Sequence, residues 1–159
     1  MQRGTTSNKA ARACVESLVP SAGVVSTALM KVNNIVAYLD LTWINIGDDG
    51  VRYLSMALVN ENNKVVTLDL HDNDIGVEGI KSFSTALMIE NNKLTTLNLT
   101  YNNIGTPCFA ALLKGLQFSL VSYLEIGIQI DLNKKVKRLL KRFINGFNKY
   151  IFVLSVSPP

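Results

Sequence analysis

Asp69, His71, Asp72 and Asp74 fall in one short stretch of the chain. These are side-chain types that hold metal ions or trade protons. Asp69 and His71 are two apart, so extended backbone puts them on one face. Proximity alone does not make a site. The chain has a single histidine, and its two cysteines, Cys14 and Cys108, sit in unrelated segments without metal-ligand spacing. No serine or cysteine has a base at a telling distance. The stretch is therefore expected to be neither catalytic nor metal-binding, and no cofactor is expected. The pairs Ile46-Gly47, Ile75-Gly76 and Ile104-Gly105 recur at fixed spacing, so they read as turns rather than phosphate loops. Asn98-Leu99-Thr100 is a formal glycosylation sequon. The start, MQRGTTSNKAARAC, shows no secretory signal, so the sequon is not expected to be used.

The acidic stretch has a plainer origin. Residues 33–61, 62–90 and 91–119 are three copies of one unit, opening NNIVAYLDLTWINIG, NNKVVTLDLHDNDIG and NNKLTTLNLTYNNIG. The first two copies agree at 13 of 29 aligned positions. Each copy begins with a strand signal: Leu39 and Leu41, Leu68 and Leu70, Leu97 and Leu99 alternate as on a half-buried strand. A turn follows, then apolar residues at helical spacing, such as Ile80, Phe83, Ala86 and Leu87. Thr106-Pro107 offers an N-cap and a first-turn proline, and Asp48 is the cap candidate of the first copy. One strand and one helix cannot bury both apolar faces alone. Stacked copies can, as a parallel sheet backed by helices.

The pattern LxxLxLxxNxIG, followed by a helix ending in Ala-Leu, resembles a leucine-rich repeat. More narrowly it is similar to the ribonuclease-inhibitor-like class, as in NOD-like receptors and secreted effectors of intracellular bacteria. The resemblance implies an α/β solenoid, a short right-handed horseshoe with parallel strands on the concave side and helices on the convex side. It implies a binding module and not an enzyme. It also implies that the asparagine of LxxLxLxxN, here Asn73 and Asn102, is buried and hydrogen-bonds the turn backbone. The first copy has Ile44 instead, so one rung of that ladder is expected to be missing. Cys108 stands where the other copies have Gly50 and Gly79, so the third helix is expected to begin differently.

The organisation expected is residues 1–32 as N-terminal cap and partial repeat, the three units, residues 120–147 as a terminal repeat, and an apolar tail over 148–159. Residues 21–32 read as the helix of an incomplete leading repeat, and a fragment of a longer array reads equally well. The net charge is +4 over 159 residues, but Lys134, Lys135, Lys137, Arg138, Lys141, Arg142 and Lys149 all lie near the end. The remainder is slightly acidic. The segment 134–149 forms a basic amphipathic helix, expected as a terminal helix with a solvated face. A membrane-surface role is the alternative. Nucleic acid is not expected, because aromatics are not interleaved with the basic face. The tail NKYIFVLSVSPP has no evident place in the repeat. It is expected to cover the end of the core, to pair with an edge strand, or to make a dimer contact.

Residues flanking the buried leucines point to the open face. They form rows: Tyr38, Thr67, Thr96, Tyr123; then Asp40, Asp69, Asn98, Glu125; then Thr42, His71, Thr100. Trp43, Asp72 and Tyr101 follow at the loop edge. These positions hold no lysine or arginine. Trp43, Tyr38, Tyr101 and Tyr123 are the expected anchors, with Asp40, Asp69 and Asp72 steering a basic partner. The function expected is protein interaction through the concave face, in the cytoplasm, or in a host cytoplasm for an effector. Peripheral membrane attachment and self-association are the alternatives.

Overall fold

The computed structural model describes residues 22–128, residues 138 and 141, and residues 151–156. Strands and helices alternate along it: α1 (Ala22–Leu29), β1 (Tyr38–Asp40), α2 (Gly47–Leu58), β2 (Thr67–Asp69), α3 (Val77–Leu87), β3 (Thr96–Asn98), α4 (Thr106–Gln117), β4 (Tyr123–Ile128) and β5 (Ile151–Val156). The strands form one sheet in chain order, and every neighbouring pair is parallel. Parallel strands need a crossover, and the helix of each unit supplies it. The chain is an α/β leucine-rich-repeat solenoid.

The core lies between sheet and helices. Leu39, Leu68, Leu97 and Leu124 are paired across the sheet and buried. Val51 and Leu54, Ile80 and Phe83, and Phe109 and Leu112 meet them from the helices. Each such side chain contributes about 1.5–3 kcal/mol by leaving water. Helix α4 also comes very close to α3. A Cβ on Gly115 would strike the Ser84 carbonyl, so only glycine permits that approach.

Several expectations need correction. Thr106 is not a cap: it is the first residue of α4, the N-cap is Gly105, and no side chain caps it. Asp48 lies inside the first turn of α2 rather than at its N-cap, Ile46. Its Oδ1 instead accepts the Gly76 N–H of the next unit at 2.7 Å. A carboxylate at that helix entrance satisfies an orphan donor and suits the helix dipole. Cys108 does not shift its helix. Val77 and Thr106 begin α3 and α4 at equivalent positions, and Cys108 is simply buried.

The tail pairs with an edge strand, one of the alternatives expected of it, and so does have a place in the repeat. β5 pairs with β4 along its length, from Ile151 opposite Tyr123 to Val156 opposite Ile128. The step to Ile151 is one residue longer than the step from Thr96 to Tyr123, so β5 stands where a further unit's strand would. Its sequence, IFVLSV, lacks the leucine signature, which hid the register. An open strand edge still offers its N–H and C=O groups to any extended segment of that length. Most of the basic segment 134–149 lies outside the described residues; Arg138 and Lys141 are helical and exposed. Of the expected N-terminal segment 1–32, residues 1–21 lie outside them too, and α1 packs on α2.

Candidate functional site

Two buried asparagine ladders hold the open face in shape. Asn102 Nδ2 donates to the carbonyls of Leu70 at 2.8 Å and Leu99 at 3.2 Å. Its Oδ1 accepts from the N–H groups of Asn73 at 3.2 Å and Ile75 at 3.0 Å. Asn73 repeats this one unit earlier, donating to Leu41 O at 2.7 Å and accepting from Ile46 N at 3.1 Å. Each amide thus ties its own turn to the preceding unit. The first copy's turn is held from the second, although Ile44 supplies no rung; Ile44 packs against the core.

The second ladder is absent from the sequence expectations. Asn34, Asn63 and Asn92 are buried at the other end of the strands. Each donates to a carbonyl at the end of its preceding helix, Leu29, Leu58 and Ala86. Each accepts from the N–H two residues on, at Val36, Val65 and Leu94. The signal was the Asn-Asn pair opening every copy. Ser119 takes over the second of these duties for the fourth strand, accepting from Val121 N at 3.3 Å.

The predicted rows exist. Tyr38, Thr67, Thr96 and Tyr123 are in register, as are Asp40, Asp69, Asn98 and Glu125. Tyr38 and Tyr123 end their row three strands apart, roughly 15 Å, and do not join. The acids are less available than their exposure suggests. Asp40 Oδ1 accepts from Thr42 N at 3.0 Å and from the Thr42 hydroxyl at 2.6 Å. Asp69 Oδ1 accepts from His71 N at 2.9 Å, and its Oδ2 from Asn98 Nδ2 at 3.3 Å. Asn98 Oδ1 accepts from the Thr100 N–H and hydroxyl. These side chains end the strands by bonding their own backbone two residues on. The sequon amide is tied into this network, so a glycan on Asn98 would break it. Burial first, then Asp40 and Asp69, raise the Tyr38 phenol above its ordinary value of 10.0.

The loop edge brings three rings together. Trp43 and His71 stack with centroids 6.3 Å apart, and His71 meets Tyr101 at 4.9 Å, tilted by 60°. His71 Nδ1 lies 2.6 Å from the Thr100 hydroxyl. That hydroxyl has one proton and spends it on Asn98 Oδ1. It must therefore accept, so Nδ1 of His71 is protonated and donates. The imidazole is pinned between two aromatics that are each 70% exposed. Trp43, Asp72 and Tyr101 also share left-handed backbone, with φ of 63°, 51° and 55°. Asn and Asp tolerate that region; for Trp and Tyr it is strained. Periodicity carried no sign of this.

Chemically the face offers aromatic surface, hydroxyls and carboxylates. Among the described residues no group of three or more His, Cys, Asp and Glu is placed to hold a metal ion. The family described as Leucine Rich repeat matches residues 32–55, 61–84 and 90–107. Those three stretches fall on the strand, turn and start of the helix of the three units described above, at the same spacing, and they support a leucine-rich-repeat protein. Such repeats commonly mediate protein–protein interaction across extended surfaces. No curated protein matches the chain.

Proposed function

We propose that the chain is a non-enzymatic module that binds a protein partner on the concave face of its sheet. The observation that carries this is the pair Trp43 and Tyr101, exposed, bulky and fixed in left-handed backbone around His71. Large rigid aromatics bury much area at small entropic loss, which makes them the usual anchors of interfaces. The asparagine ladders and Asx turns beneath them set their positions before a partner arrives. Helices of 11 and 12 residues in every full unit support the ribonuclease-inhibitor-like subclass.

The test is affinity capture from a cytosolic lysate with wild type and with Trp43→Ala/Tyr101→Ala, after circular dichroism shows both folded. A protein retained by wild type and lost by the variant is expected. Equal retention would remove the concave edge from consideration.

A further inference from the structure

Asp72 differs from Asp40, Asp69 and Asp74. Its side chain makes no hydrogen bond or ion pair among the described residues, whereas Asp40, Asp69 and Asp74 all accept hydrogen bonds. By the repeat it stands between Trp43 and Tyr101, with about 5 Å between neighbouring units. The edge therefore presents exposed aromatic, uncommitted carboxylate, exposed aromatic, all three in the same left-handed conformation, with the His71 ring packed between the two aromatics so that their outer faces are the ones left open. The left-handed backbone does not ask for Trp or Tyr there. Asparagine, which occupies the left-handed position 45, would hold that backbone with less strain. The rows behind the edge add Asp40, Asp69 and Glu125 and contain no lysine or arginine to balance them.

A planar cation satisfies such a row. A guanidinium can take a carboxylate with two parallel N–H bonds and lay its faces on aromatic rings at the same time. An ammonium gains the charge attraction but cannot stack. We infer that Trp43, Asp72 and Tyr101 dock an arginine side chain from an extended basic segment of the partner protein. The inference rests on the interaction reading above and gives the partner its chemistry.

Trp43 is the chain's only tryptophan, so its fluorescence reports on this row. The full chain is titrated with a flexible Gly-Ser-Arg repeat peptide, its lysine twin and its glutamate twin. The arginine peptide should change Trp43 emission and bind at least about fivefold tighter than the lysine twin. Asp72→Asn, shown folded by circular dichroism, should erase that preference. Equal affinity for the two cationic peptides overturns the guanidinium site, as does no response to either, or preference for the glutamate twin. A rival occupant is the basic segment 134–142 of a second copy; dimers in sedimentation that vanish with Asp72→Asn overturn the proposal in its favour. Lysate capture that still depends on Trp43 and Tyr101 would show that only this inference has failed, and the interaction reading stands.

Discussion

At the scale of single residues, the fold and the proposed binding role pull in different directions at Trp43 and Tyr101. Left-handed backbone disfavours a bulky side chain by roughly 1–2 kcal/mol. Stacking on His71 returns part of that, about 0.5–1.5 kcal/mol for a good aromatic pair. The two nearly cancel. Trp43→Asn and Tyr101→Asn should therefore leave stability unchanged or raise it by up to about 1 kcal/mol in urea unfolding, while partner capture is lost. A fall of more than about 1 kcal/mol would show that the aromatics are structural, held for their packing on His71. The acids of the neighbouring row show the opposite balance. Asp40 and Asp69 close their own turns, so their replacement tests the fold before it tests binding.

At the scale of elements, what locks one unit to the next is the asparagine amide more than the three-residue strands. Asn102 reaches two units at once, and every group it bonds is backbone of a buried residue. Asn102→Ala is expected to destabilise by roughly 2–4 kcal/mol, read as a lower urea midpoint. A change under about 1 kcal/mol would mean that water enters and takes over the bonds. The resemblance to a leucine-rich repeat made Asn73 and Asn102 visible from sequence, because it implies a buried turn asparagine at that place in the motif. Asp48 was visible as a cap but not for the right helix. Its partner, Gly76, belongs to the next unit, and no pattern inside one copy says how far neighbouring helices are offset.

At the scale of the whole molecule, each unit touches only its neighbours, so protection should grade along the array. The amides of Leu70 and Leu99 bond across to the next unit from strands covered on both sides. Native-state hydrogen exchange should find them among the slowest, with α1, which packs on α2 alone among the described helices, opening first. Uniform protection from α1 to β4 would mean a single cooperative block and would contradict this picture. In that grading the aromatic edge runs from unit one, whose β1 is the edge strand of the described sheet, to units two and three, whose strands are paired on both sides. A partner binding there meets a surface that is already ordered.

The amino-acid sequence by itself determined the repeat, the inward leucines, the rows of the open face and the buried Asn73 and Asn102. The repeat, the inward leucines and the rows follow from periods of two and 3.6 residues inside a unit of fixed length, and such periods are local; the buried asparagines were legible only through the resemblance to a leucine-rich repeat. The tertiary structure alone decided four things: the left-handed backbone under Trp43, Asp72 and Tyr101, the contact of the rings through His71, the reach of Asp48 to Gly76, and the seat of β5 beside β4. Each depends on where the neighbouring unit lies. That position is set by packed helices and by hydrogen bonds between copies, which no single copy encodes.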